Sequence, residues 1–214
     1  MIRTKSMNAS NKVRYTPQEY LALGADFDLR QECNFSDWLA LPDTTNHHQH
    51  LSNNLLQLFK GHLGHFDKDA VEVSENKYQV YSRTIRFEVI RDRFYSNPDL
   101  FVGQHPEDIA SPLFKRYPVL VGEVLSKITD EFDRHFKLKK YFTNTTLQNY
   151  LLVSQYALRV ELYHRNPDSD EWNYQTFSSL DDVVKIPSLD IELTLPQIYE
   201  GTGLGKKKLP PINQ

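Results

Sequence analysis

Cysteine occurs once in the 214 residues, at Cys33, which excludes an internal disulfide framework and fits a reducing compartment. No apolar run reaches the roughly 18 residues that a membrane-spanning helix needs, so no membrane segment is expected. The opening stretch MIRTKSMNASNKVRY carries charge but no apolar core, so no secretory signal is expected and the cytoplasm is the default location. Charge of one sign is scarce as well. Lysine and arginine total 25 against 28 acids, a net charge of −3 at pH 7, which gives no global attraction to nucleic acid. Any such surface has to be local, and the nearest cluster is Arg134, Lys137, Lys139 and Lys140. Internal repeats are absent. His47, His48 and His50 lack zinc spacing and a partnering cysteine, and read as a solvated helix start, with His48 able to approach a cleft. Gly201, Gly203 and Gly205 do not make a phosphate loop, because no strand leads in and no helix follows.

What is present fits one domain. Apolar residues make up 39% and charged ones 25%, and a chain of this length buries roughly 70% of its unfolded surface. Residues 1–14 are polar and expected to be flexible, 15–200 form the domain, and 201–214 are expected to be a disordered tail. Thr16, Pro17 and Glu19 form a capping box that starts a short helix through Tyr20, Leu21 and Leu23, ending near Gly24. Residues 27–41 read as one or two short strands with Glu32 near the middle. Leu51, Leu55, Leu58, Phe59 and Leu63 predict an amphipathic helix over 47–62. Val71 and Val73 begin a strand that turns around Asn76 into a second over 78–89, whose register breaks near 82–84. A short strand at 98–102 and a loop at 103–116 lead into the central stretch. Beyond it, strands are expected at 147–154, 159–163, 172–177, 183–186 and 191–195.

The central stretch is YPVLVGEVLSKITDEFDRHFKLKKYF, residues 117–142. Val119, Leu120, Val121, Val124 and Leu125 read as a strand buried on both faces, since a half-exposed strand would alternate apolar with polar. Glu123 alone interrupts it. A buried carboxylate costs several kcal/mol unless it is protonated, paired or bound to a cation. After Ser126 the period becomes helical, with Thr129 as the expected N-cap and an apolar stripe through Phe132 and Phe136. Asp133 and Lys137 stand four apart on another face, which could line a cleft or simply meet water.

Asp99, Glu123 and Lys137 are the candidates for chemistry. Two ionised carboxylates about 4 Å apart repel by on the order of 4 kcal/mol at an effective dielectric of 20, so a hard divalent cation is their natural companion. Magnesium held that way polarises a phosphoryl oxygen and acidifies a bound water, while a lysine steadies the developing charge. The residues alone leave a second account open: Asp99 caps a turn after Pro98, Glu123 pairs with an arginine, and Lys137 bridges to Asp133 on a solvated face. Tyr141 and Tyr150 read as core or rim aromatics.

PDLFV at 98–102, PVLVGEVLSKITDEFDRHFK at 118–137 and NYLLVSQYALRVELYHR at 149–165 resemble the Uma-type family of restriction endonucleases, a branch of the PD-(D/E)xK nuclease superfamily. The likeness covers about residues 15–200. Pro98 and Asp99 match the family's PD motif, Glu123 to Ser126 its EVLS, and Thr129, Asp133 and Lys137 the residues on its following helix. His48 with Asn54 and Leu55, and Arg30 with Glu32, match its upstream patterns. The superfamily lysine two residues after the acid is Leu125 here, so that role passes to Lys137. The Tyr-x-x-Gly that follows Arg-x-Glu is absent, and Lys127 and Ile128 replace proline and serine after EVLS. The resemblance implies an α/β (α+β), restriction-endonuclease-like fold, a central mixed β-sheet flanked by helices. It also implies metal-dependent phosphodiester hydrolysis on nucleic acid, with DNA as the expected partner. Asp99, Glu123 and the Val124 carbonyl would hold Mg2+ or Mn2+, with Glu32 as a further ligand, while Lys127, Arg134 and Lys140 would meet phosphates and Gly122 would leave room beside Glu123. A homodimer would supply two sites for two strands. The rival expectation is a non-catalytic protein that keeps the fold as a nucleic-acid-binding or interaction module.

Overall fold

The computed structural model describes residues 45–63, 78–83, 85–127 and 129–205, and the backbone alone of 31–34 and 37–40. The expected helix at 16–24, the strand beginning at Val71 and the turn at Asn76 lie outside the described residues.

A six-stranded mixed sheet carries the fold. Its strands are β3 (Gln79–Ser82), β6 (Leu100–Gly103), β7 (Pro118–Leu125), β8 (Asn149–Ser154), β9 (Val160–Arg165) and β10 (Trp172–Phe177), in the order β10-β9-β8-β7-β6-β3. Only β7 and β8 pair in parallel, so the chain must cross over between them. That crossover carries a π-helical turn, Phe132–Lys137, continued by a short α-helix, Leu138–Tyr141. A four-stranded antiparallel sheet, β2-β1-β5-β4, comprises β1 (Gln31–Asn34), β2 (Asp37–Ala40), β4 (Phe87–Ile90) and β5 (Phe94–Ser96). The hairpin of β11 (Val183–Ile186) and β12 (Ile191–Thr194) completes the strands.

The helices α1 (Asn46–His62), α2 (Pro106–Ala110), α3 (Leu138–Tyr141) and α4 (Leu195–Ile198) follow the chain in that order. Thr45 caps α1 by accepting the His48 N–H at 3.1 Å. Alternation along the central strands then sorts two cores. Leu120 and Val124 of β7, with Leu100, Leu151 and Val153, pack under Leu51, Leu55 and Phe59 of α1. Val121 and Leu125 face the other way, with Phe101, Tyr150 and Leu152, and meet Tyr141 of α3 and Phe87 of β4. As expected for a strand covered on both faces, β7 is buried at every position except half-buried Val119.

Several expectations change. The segment 78–89 divides at its register break into β3 and β4, which join different sheets. The loop at 103–116 contains α2, whose start is made by Pro106 behind His105. The π turn starts behind Glu131 with no side-chain cap; the Thr129 hydroxyl, expected to cap, lies 3.0 Å from that of Ser126, which accepts the Thr129 N–H at 3.1 Å. Gly122 makes room for Leu100 on the α1 face, where an added Cβ would lie 3.2 Å from the Leu100 Cβ; it does not open space beside Glu123. The tail does not loosen at Gly201. Thr202 is buried and donates to the Tyr199 carbonyl at 2.7 Å, and Leu204 packs on the core.

Glu88 ties the start of β7 to the β4–β5 hairpin. It is buried, pairs with Arg116, and accepts from the Tyr95 hydroxyl at 2.7 Å and the Asp92 N–H at 2.9 Å. Burial pulls its carboxyl up, but these three donors outweigh that, and it ionises below its ordinary value of 4.5. The folded form therefore gains stability above that pH and loses it as the pH falls through the lowered folded value. Glu88→Gln is expected to flatten the acid limb of stability, read from urea midpoints between about pH 6 and 3. Gly103→Ala is expected to cost about 1–3 kcal/mol by the same assay, because its Cβ would lie 2.9 Å from both the Tyr117 carbonyl oxygen and the Phe101 ring.

Candidate active site

Register brings the backbones of the two acids close, while their side chains turn to opposite faces. Leu100 pairs with Gly122 across β6 and β7, Asp99 directly precedes Leu100, and Glu123 directly follows Gly122. Asp99 stands just before β6, where its carboxylate takes over from the strand ladder: Oδ2 accepts the Val124 N–H at 2.8 Å. In a strand the N–H and C=O of one residue face the same neighbour, so the Val124 carbonyl is turned to the Asp99 side too. His48, from the first turn of α1, sets Nε2 3.2 Å from the same Oδ2. Its Nδ1 lies 3.4 Å from both Ser52 Oγ and Arg83 Nη1. His48 is therefore buried against Asp99 rather than part of a solvated helix start. His47 and His50 are exposed, and His50 Nε2 lies 2.9 Å from the Glu200 carbonyl.

Glu123 points to the other face, under the crossover helix. Its Oε1 accepts from Lys137 Nζ at 3.0 Å and from the Tyr141 hydroxyl at 2.8 Å. Lys137 Nζ also lies 2.9 Å from Asp133 Oδ1. The bridge from Lys137 to Asp133 allowed by their spacing exists, but in the interior: Asp99 is 1% exposed, Asp133 1%, Lys137 2% and Glu123 3%. The helix is π-wound where Lys137 reaches both carboxylates. The Tyr150 hydroxyl donates to the Asp133 carbonyl at 3.1 Å, and the Leu138 N–H reaches that carbonyl across five residues. A side chain inserted into the ladder is a recognised cause of such a turn. Burial, then the charges of Glu123 and Asp133, push the Tyr150 hydroxyl well above its ordinary value, so it stays a donor.

The remaining candidates divide. Arg134 is drawn between Asp130, 2.7 Å from Nε, and Glu161 of β9. Glu161 is buried and is also met by Arg159 at 2.9 Å and the Tyr174 hydroxyl at 3.1 Å. Its Nε and Nη1 are thereby engaged by carboxylates. Lys127 is exposed, with Nζ 5.6 Å from the centre of the Tyr156 ring, and Lys140 lies 5.6 Å from that of Phe136. Glu32 is on β1, in register with Leu39, and its side chain lies outside the described residues. Among the described residues, no three of histidine, cysteine, aspartate and glutamate come together as a metal cluster.

Tyr141 and Ser96 were not legible as site residues. Ser96 Oγ lies 2.7 Å from the Tyr141 hydroxyl, which binds Glu123. Tyr141 could have been found, since it continues the spacing of Asp133 and Lys137 by four more. Gln155 was missed too; it is buried, and its Nε2 donates to the Leu125 carbonyl at 3.0 Å.

A family model described as "Putative restriction endonuclease", Uma2, matches residues 17–197. The chain belongs to the Uma2 family. Among its relatives, the uncharacterized protein slr1290 of Synechocystis is 30% identical over 191 residues, covering 88% of this chain and 93% of the relative. A second Synechocystis protein, sll1609, is 26% identical over 72% of this chain and 82% of its own length. The crystal structure of a "putative nuclease belonging to DUF820" from Anabaena variabilis shares the fold, with a TM-score of 0.66 at 15% identity. That similarity covers 86% of this chain and 97% of the Anabaena protein. The nuclease-like fold inferred for this Uma2 chain is therefore the one observed. Among the described residues, no helix is long and apolar enough to cross a membrane.

Removing the cation from between two buried carboxylates should be severe. Lys137→Met is expected to destabilise the Uma2 fold by about 3–5 kcal/mol, measured by urea unfolding at neutral pH.

Proposed function

We propose that this Uma2 protein is a divalent-metal-dependent nuclease that hydrolyses phosphodiester bonds, with DNA as its substrate. The observation that carries the reading is the burial of two acids at neighbouring backbone positions near the end of β7, Asp99 on the Val124 N–H and Glu123 on Lys137. Carboxylate and carbonyl oxygens are the donors that Mg2+ and Mn2+ favour. Asp99, Glu123 and the Val124 carbonyl would hold the ion, with Glu32 of β1 as a further oxygen donor. Once bound, such an ion polarises the scissile phosphate and lowers the pKa of a coordinated water.

The protein's own groups have distinct tasks in this scheme. Lys137, fixed by Asp133, keeps Glu123 oriented and offers positive charge to the attacking water and to the phosphate oxygens as negative charge builds. His48 holds Asp99 from the α1 side. Lys127, exposed just past the end of β7, is suited to a flanking phosphate, with Lys140 and Arg134 on the neighbouring helix. Cutting both strands of a duplex calls for two such centres, which a homodimer would supply.

Metal-dependent stabilisation tests the site. A hundredfold excess over Kd contributes about 2.7 kcal/mol, roughly 5–10 °C in Tm for a domain of this size. The wild type should show that rise with Mn2+ or Mg2+, and Glu123→Ala should abolish it. Plasmid cleavage by Lys137→Ala should fall about 100- to 1,000-fold, and unchanged cleavage would remove Lys137 from the mechanism. Absence of any metal effect in the wild type would favour the non-catalytic module.

A further inference from the structure

We infer that Tyr141, backed by Ser96, is a positioning residue that fixes Glu123 for its metal ion, an inference that rests on the nuclease reading above. An ionised carboxylate can only accept, so the Tyr141 hydroxyl spends its one proton on Glu123 Oε1, at 2.8 Å. The contact with Ser96 Oγ at 2.7 Å must then run the other way, with Ser96 donating to Tyr141. The result is a directed relay, Ser96 to Tyr141 to Glu123. All three residues are buried, with Ser96 and Tyr141 wholly inaccessible.

The relay also joins the elements that carry the two acids. Ser96 ends β5, three residues before Asp99, and Glu123 lies on β7, while Tyr141 reaches both from α3. Its ring is held by an edge contact with Tyr150, centroids 5.1 Å apart at 90°, and by Phe87 at 5.4 Å. A packed ring of this kind aims its hydroxyl with little freedom. Lys137 already balances the charge of Glu123, so the tyrosine contributes direction: it fixes the rotation of the carboxylate while the lysine neutralises it. Residues that orient a metal's carboxylate commonly change metal affinity about 10- to 100-fold when removed.

The test uses the full chain and Mn2+, with the free ion counted by electron paramagnetic resonance at fixed pH. Tyr141→Phe keeps the ring and removes the hydroxyl; its Mn2+ affinity is expected to fall about 10- to 100-fold. The loss should appear as a higher Mn2+ concentration for half-maximal cleavage rather than in turnover at saturating Mn2+. Ser96→Ala interrupts the relay one step back, keeps the Tyr141 hydroxyl, and is expected to lower the affinity by a smaller factor. Tyr199→Phe removes another buried hydroxyl, bound to the Ser154 and Arg159 carbonyls instead of Glu123, and is expected to leave the affinity unchanged. Wild-type affinity in both Tyr141→Phe and Ser96→Ala would overturn the relay and leave the nuclease reading standing. So would an equal loss in Tyr199→Phe, because general loosening would then explain it. A wild type that binds no Mn2+ would overturn the nuclease reading itself, and the relay with it.

Discussion

The structure turns on a buried ammonium. Lys137 lies between Glu123 of the central strand and Asp133 of its own helix, and none of the three is more than 3% exposed. Burying ions costs several kcal/mol each, recovered only when partners are close and well aimed. That requirement fixes the distance between the crossover helix and the sheet, and with it the position of every other group near Glu123. Two strands away, Arg134 and Glu161 make a second such clamp from the same helix. The helix is therefore attached to the sheet face through charge as well as through the apolar contacts of Tyr141 and Phe136.

On the α1 side the acids are treated differently. Asp99 takes a main-chain donor from Val124 and an imidazole from His48, so its position depends on where a strand begins and on how α1 is seated. Glu123 depends on the opposite layer. One pair of neighbouring strands thus collects restraints from both cores, and displacement of either layer would alter the separation of the two carboxylates.

Much of this was legible from residue order. The apolar run of β7 with a single acid, the helical period after Ser126 and the break near residues 82–84 each carry their own signal, and each appears in the fold. Asp99, Glu123 and Lys137 could be singled out because each polar group interrupts or flanks an apolar pattern. Tyr141 carries a weaker signal: it continues the spacing of Asp133 and Lys137, but the task of its hydroxyl depends on a partner 18 residues away. The π turn was hidden for a similar reason: periodicity over 132–142 fits a plain helix, and the Tyr150 hydroxyl at Asp133 comes from a strand further along the chain. The clamp from Arg134 to Glu161 was hidden because nothing local reveals Glu161, whose approach depends on the order of the sheet.

The interior place of β7 has a kinetic meaning. It is hydrogen-bonded to β6 on one side and β8 on the other, and core strands of this kind are expected to be among the slowest segments to exchange with solvent. A carboxylate rooted there sits in an unyielding part of the molecule. Under the nuclease reading proposed above, adaptation would fall to the incoming nucleic acid, which would bend or open to bring its backbone to that seat.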